Sequence, residues 1–141
     1  MLKVTSVWGA VAGVLVAVAG GQAQTRSVWD GVYTTEQAER GAEFYEESCA
    51  ECHGVDLGGG EMAPGLVGGE FVWTWSGLPV AELFERLRVS MPQVRPNSVS
   101  RAEKADILAY MFDANGFPAG DTELADRAVP LRGILFSAEQ P

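Results

Sequence analysis

The chain has 141 residues, of which 47% are hydrophobic and 21% charged, a length and composition typical of one globular domain. Its 10 Lys+Arg against 19 Asp+Glu give a formal net charge of −9, which argues against nucleic acid or an anionic lipid surface as the main partner. The two cysteines and one histidine are too few to build a zinc site from Cys and His alone.

The N-terminal residues predict a secretory signal peptide over residues 1–23. Lys3 supplies a positive charge, residues 7–19 are continuously apolar, and Gly21 and Ala23 form a small-x-small site. This pattern favours cleavage after Ala23 and export to the periplasm. A retained anchor helix is the alternative, although the apolar run is short for a membrane span. After cleavage we expect no stable membrane insertion.

The segment Cys49-Ala50-Glu51-Cys52-His53 contains every cysteine and the only histidine of the chain. Cysteines at i and i+3 lie about one helical turn apart on one face, so both sulfurs can reach the two vinyl groups of one haem. His53 then projects toward the iron from the same side. This is the attachment signature of a c-type haem, and it predicts one haem c held covalently through Cys49 and Cys52, with His53 as an iron ligand.

Two other interpretations of the cysteine pair fit the sequence less well. A thioredoxin-like redox motif needs a βαβ pattern around it, whereas the residues before Cys49 have a helical pattern. A structural disulfide across i,i+3 closes a very short loop and would stabilise little. The haem interpretation is favoured over both.

A capping-box pattern predicts the first helix. Thr34 is the expected cap with Gln37 three residues later, and apolar residues at helical spacing continue from Thr35 to about Cys49. Gly41 lies in the middle of this helix, where it should cost about 1 kcal/mol relative to Ala. A glycine there indicates that another backbone approaches closely.

Two further helices are predicted downstream. Residues 79–89 place Pro in the first turn, followed by inward-facing apolar side chains. Another helix begins at the capping box of Ser100 and stops at Asn115-Gly116. No segment alternates convincingly as a strand, so the sequence predicts an all-α domain with three or more helices.

The chain resembles the class I cytochromes c over nearly all of its length after the signal peptide. In that family a Gly eight residues before the first Cys and an aromatic residue four before it pack against the last helix. Gly41 and Tyr45 hold those positions, and the segment Ile107-Leu108-Ala109-Tyr110 supplies the partner. The resemblance implies the class I cytochrome c fold around one haem.

The glycine-rich segment 54–69 follows the haem motif. A glycine-rich loop can also indicate phosphate binding, but no Lys-Ser/Thr completes such a motif here. Ala63-Pro64-Gly65-Leu66 resembles the Pro-x-Leu of the family, whose Pro carbonyl accepts the Nδ1–H of the haem histidine. The resemblance therefore assigns Pro64 to this bond, which fixes the tautomer of the ligand. An ordinary loop turn is the alternative.

The methionines are the candidates for the second axial ligand, because the chain has no second histidine. Met111 lies within the last helix and is expected in the core, and Met62 follows His53 by only nine residues. Pro92 biases Met91 toward an extended conformation, and the Ser-Met-Pro segment resembles the distal ligand motif of small bacterial cytochromes c. We expect Met91 to bind the iron; Met62 and an open or water-filled position are the alternatives.

The segment Phe71-Val72-Trp73-Thr74-Trp75 contains a candidate for binding a haem propionate. Related cytochromes place a Trp here with its indole N–H toward a propionate, and Trp75 fits the family position better than Trp73. A purely core role is the alternative. Three arginines are further candidates among which the sequence does not choose: Arg86, Arg88 and Arg95.

The residues that flank the helices narrow the resemblance. Residues 28–34 and 115–120 look like those of cytochromes that partner, or are fused to, bacterial periplasmic quinoprotein or sulfur-compound dehydrogenases. We divide the exported chain into a haem domain, 24–120, and an extended C-terminal tail, 121–141, which either packs over the domain or docks to a partner. Lys104 is the one lysine after the signal peptide, so a basic partner or an apolar contact around the haem edge is expected.

The sequence thus predicts a periplasmic one-electron carrier and no catalytic residue. Ligation by both His53 and Met91 leaves no iron position for a substrate, and a thioether ligand raises the reduction potential. Electrons would pass from a dehydrogenase or quinol-oxidising complex to an oxidase or another cytochrome. A dedicated cytochrome subunit of a dehydrogenase complex and a ligand-binding haem protein with an open site are the alternatives.

Overall fold

The computed structural model describes residues 26–140, so the predicted signal peptide lies outside the described residues. This part of the chain is helical, with two strands of two residues each. Its elements in chain order are β1 (Arg26–Ser27), α1 (Thr35–Ser48), α2 (Ala50–His53), α3 (Gly69–Trp75), α4 (Val80–Ser90), a 3₁₀ turn (Pro96–Ser98), α5 (Arg101–Ala114), α6 (Ala128–Leu131) and β2 (Ile134–Leu135).

The centre of the fold is the crossing of α1 and α5. The two backbones touch at Gly41, where an added Cβ would overlap the carbonyl group of Asp106. One turn further along α1, the rings of Tyr45 and Tyr110 lie with their centroids 5.4 Å apart. The close backbone approach predicted from Gly41 is confirmed, and so is its partner segment, which lies on α5.

The first turn of α1 differs from the predicted capping box. The Thr34 hydroxyl accepts the backbone N–H of Gln37 at 3.2 Å, but the Gln37 side chain does not return to the cap. Its amide instead donates to the carbonyl of Leu124 at 3.0 Å and accepts the Leu124 N–H at 2.7 Å. Within the described part of the chain, the buried N–H and carbonyl of Leu124 have no other hydrogen-bond partner, and leaving them unpaired would be costly. The Gln37 side chain therefore binds Leu124, and only half of the capping box forms.

The start of α5 has the complete capping box that the sequence predicts. The Ser100 hydroxyl accepts the Glu103 N–H at 3.3 Å, and the Glu103 carboxylate accepts the Ser100 N–H at 2.6 Å. The start of α4 differs from the prediction by one residue. Pro79 is the N-cap and lies just before the first turn, not within it. Residues Gly69–Trp75 form a helix of their own, α3, which the sequence pattern did not resolve.

The C-terminal residues pack against the helices. Leu124, Leu131 and Phe136 are buried, and β2 pairs in parallel with β1, with Ile134 opposite Arg26. The ring of Phe136 lies 5.8 Å from that of Phe112 in α5, edge to face, a favourable aromatic geometry. Leu124, Leu131 and Phe136 therefore belong to the core of the described structure. The segment that contains them includes a short helix, α6.

Among residues 26–140 no helix combines the length and the apolar character needed to cross a bilayer.

Replacement of Gly41 by Ala tests the helix crossing. We expect Gly41→Ala to lower the free energy of unfolding by about 3 kcal/mol, because a backbone carbonyl cannot move aside as a side chain can. Gly69→Ala is the control, since a Cβ there meets nothing nearer than Trp73 at 4.0 Å. Denaturant unfolding of both holoproteins gives the comparison, and equal losses would contradict a close crossing.

Candidate haem site

The motif cysteines lie where α1 gives way to α2. Cys49 leaves helical geometry, with φ −129° and ψ −34°, while its N–H still donates to the Tyr45 carbonyl at 2.8 Å. The next turn is closed by the N–H groups of Cys52 and His53, which both donate to the Cys49 carbonyl. Cys49 is half-buried and Cys52 exposed, and no disulfide joins them, so both sulfurs are available for covalent attachment to haem.

The surroundings of the pair disfavour a thiol-disulfide function. Burial raises the pKa of Cys49 to about 11, whereas redox-active C-x-x-C pairs depend on a cysteine with a lowered pKa. The two strands described between residues 26 and 140 are also far too short to form the βαβ unit of a thioredoxin-like fold.

His53 is held in a defined orientation. Its side chain is buried, with 8% of the residue surface exposed, and Nδ1 lies 2.8 Å from the carbonyl oxygen of Pro64. A carbonyl can only accept, so this bond places the proton on Nδ1 and leaves Nε2 as the nitrogen with a free lone pair. The structure therefore brings together the histidine and the proline carbonyl that the resemblance pairs.

The glycine-rich loop is shaped by close contacts between its own backbone segments. Gly59 has φ +79°, and a Cβ there would overlap the backbone of Pro64 and Gly65, so only glycine fits. Its N–H donates to the His53 carbonyl at 2.7 Å, and the Leu66 N–H donates to Leu57 at 2.7 Å. These bonds occupy backbone N–H groups that a phosphate-binding loop would direct at its ligand. They also fold the loop so that the Pro64 carbonyl lies beside His53.

Asn115 anchors the end of this loop to α5. Its side-chain N–H₂ donates to the carbonyls of Leu66 at 2.9 Å and Met111 at 2.7 Å, and its side-chain oxygen accepts the Gly68 N–H at 3.1 Å. The sequence pattern marked Asn115 only as a helix end. Its partners in the loop are 47 to 49 residues away, so no local signal could have shown this contact.

The three methionines of the described region occupy different environments. Met91 is the C-cap of α4, with φ −123° and ψ 142°, which confirms the extended conformation predicted from Pro92. Met111 is fully buried in α5, as expected for a core residue, whereas Met62 is 78% exposed. Met91 is half-buried at the start of the loop that joins α4 to the 3₁₀ turn.

The candidates for propionate contacts also differ in exposure. Trp75 is half-buried, with its ring centroid 6.5 Å from that of Phe71, whereas Trp73 is 64% exposed. Arg88 forms an ion pair with Glu85 at 2.6 Å on the surface of α4. Arg86 and Arg95 are exposed.

These residues fit a c-type haem. Two cysteines that form no disulfide lie one helical turn apart, and the adjacent histidine offers one nitrogen while its other nitrogen is held by a backbone carbonyl. A metal-binding imidazole usually donates its other ring N–H to such a carbonyl or to a carboxylate. Such a donor set defines the protein as a c-type cytochrome.

Residues 36–111, more than half of the chain, match the family model described as cytochrome C oxidase, cbb3-type, subunit III. The chain belongs to this family. It has the class I cytochrome c fold, its cofactor is one haem c attached through Cys49 and Cys52, and it is an electron-transfer protein. No curated protein and no solved structure matches the chain significantly.

Removal of the Asn115 side chain tests its anchoring contact. We expect Asn115→Ala to reduce the free energy of unfolding by about 2–3 kcal/mol, because three hydrogen bonds are lost and two loop groups are left unpaired. The exposed Asn97 supplies the control, Asn97→Ala, with little expected effect. Faster amide exchange at Gly68 in the Asn115 variant alone would locate the loss in the loop; unchanged exchange and stability would argue against this anchor.

Proposed function

We propose that the chain is an exported one-electron carrier whose haem iron is bound by His53 and Met91. The observation that carries the proposal is the bond between His53 Nδ1 and the Pro64 carbonyl at 2.8 Å. It orients the imidazole directly after the two motif cysteines, an arrangement suited to a fixed iron ligand. When bound, haem c supplies the one-electron chemistry of its iron, and the protein supplies the ligands, the orientation and the apolar environment.

Met91 is proposed as the second ligand on two observations. Its backbone is extended at the end of α4, so the side chain is presented from a loop. The other two candidates fit poorly, since Met111 is enclosed in the core and Met62 is largely exposed. A His/Met pair leaves no iron position for a substrate and raises the reduction potential, which favours electron transfer over enzymatic chemistry.

Trp75 is proposed as a hydrogen-bond donor to a propionate. Its indole is half-buried beside Phe71, and the N–H of a partly buried Trp usually has a polar partner. The exposed Trp73 fits this role less well.

The partners that we propose are redox proteins. The donor would be a dehydrogenase or a quinol-oxidising complex, and the acceptor an oxidase or another cytochrome. With a net charge of −9, the chain is expected to associate with a basic partner surface or through an apolar contact near the haem edge, and the association rate should fall with ionic strength if charge dominates.

A permanent subunit of a larger complex is the second candidate. The description of the matching family names a subunit of an oxidase, and the sequence resemblance extends to cytochromes that accompany dehydrogenases. Size-exclusion chromatography of the native protein from its source distinguishes the two functions. Elution at the size of one haem domain supports a free carrier, and stable co-elution with a dehydrogenase or oxidase supports a subunit.

Export rests on the N-terminal sequence, and we propose that cleavage after Ala23 leaves a haem domain, 24–120, with its tail, 121–141. Intact-mass measurement of protein matured in a periplasm should give residues 24–141 plus one haem. A mass that includes residues 1–23 would indicate a retained anchor instead.

The ligand assignment is tested by Met91→Ala. We expect the variant to lose the far-red band of a Met–Fe(III) bond, to bind carbon monoxide when reduced, and to have a potential lower by roughly 0.1 V or more, a part of the ~0.8 V range that axial ligands span. The exposed Met62 gives the matched control, and Met62→Ala should keep the spectrum and the potential of the unmodified protein.

Either of two results would overturn this assignment. An unmodified protein that already binds carbon monoxide would have an open iron position. A Met91→Ala protein with unchanged spectrum and potential would show that another residue is the ligand.

A further inference from the structure

Lys104 is an unusual residue in α5. It is one of two lysines in the sequence and the only one among the described residues, yet it is buried, with 3% of its surface exposed. It follows the capping box directly, at a position where the neighbouring Ala105 and Leu108 contribute to the core. A buried ammonium group is costly unless its donors are matched, so its contacts carry information.

The contacts of Lys104 are backbone carbonyls. Its Nζ donates to the carbonyl of Arg88 at 3.1 Å and to that of Pro96 at 2.6 Å. None of the ion pairs found among residues 26–140 includes Lys104. Burial lowers the pKa of Lys104, and the charge of Arg88 lowers it further. The two charge-assisted hydrogen bonds to carbonyls take the place of a carboxylate partner.

The two carbonyls bracket Met91. Arg88 lies in the last turn of α4, where carbonyl groups have no partner within the helix, and a cation there also interacts favourably with the helix dipole. Pro96 is the first residue of the 3₁₀ turn that ends the loop. One side chain thus connects both ends of the segment 88–96 to α5.

We propose that Lys104 is a positioning residue for Met91. By holding the two ends of segment 88–96 on α5, it keeps the loop at the length and place at which the thioether is presented to the iron. The inference rests on the proposed ligation by Met91 and adds the residue that stabilises it. Lys104 acts through the loop backbone and does not itself bind the iron.

The readout is displacement of the native ligand by imidazole in the ferric holoprotein. A loosened loop releases Met91 more often, so imidazole binds with a higher apparent affinity. For Lys104→Met, which has a similar length and no donor, we expect imidazole to bind about tenfold more tightly or better, as the loss of charge-assisted hydrogen bonds predicts. Lys104→Arg keeps the charge and donors and should recover part of the closed state.

A general loss of stability is separated from this effect by a control and a double variant. Gln37→Ala removes the buried contacts to Leu124, which lie outside segment 88–96, and should destabilise the fold with little change in imidazole affinity. In the Met91→Ala background, Lys104→Met should add nothing, because no native ligand remains to be displaced. If Lys104→Met does not yield holoprotein, Lys104→Arg and Lys104→Gln give the comparison.

The possible results separate the two proposals. In one result, the unmodified protein binds no carbon monoxide while the Lys104 variants keep its imidazole affinity. That result would overturn the positioning role of Lys104 alone. An equal gain in affinity for Gln37→Ala, or a further gain in the Met91→Ala background, would also overturn it. An unmodified protein with an open iron would instead overturn the ligation by Met91 on which this inference rests.

Discussion

The contact of two helix backbones at Gly41 is the constraint on which the haem site depends. No side chain separates α1 from α5 there, so the helices cross closely enough for Tyr45 to pack on Tyr110. Tyr45 then holds the haem motif at two points. Its carbonyl accepts the Cys49 N–H at 2.8 Å, and its hydroxyl donates to the Gly54 carbonyl at 2.6 Å. The attachment turn is therefore fixed from both sides by one residue of α1.

Helix α5 organises the two loops that follow the motif, although it lies about fifty residues further along the chain. At its C-terminal end Asn115 binds the loop that delivers the Pro64 carbonyl to His53. Near its N-terminal end Lys104 binds the backbone on both sides of Met91. Both side chains act on backbone groups, which fixes the course of a loop without requiring a particular side chain in it.

The sequence predicted the features that have local patterns. The C-x-x-C-H spacing, the Ser100 capping box, the mid-helix Gly41 and the proline after Met91 each constrain their own neighbourhood, and the helices that they predict are present. Gln37, Lys104 and Asn115 could not be assigned in this way, because each has partners that only the tertiary fold brings near. Gln37 resembled half of a capping box and is instead the anchor of Leu124.

The choice of hydrogen-bond acceptors also bears on redox function. Apart from Asp106, which is paired with Arg40 at 3.1 Å, the acidic residues of the described chain lie at or near the surface, and the contacts of His53 and Lys104 are carbonyls. A carboxylate at these positions would favour the ferric state by opposing its extra charge. Neutral acceptors avoid that effect. These neutral acceptors therefore act in the same direction as the thioether ligand that we propose, toward a higher reduction potential.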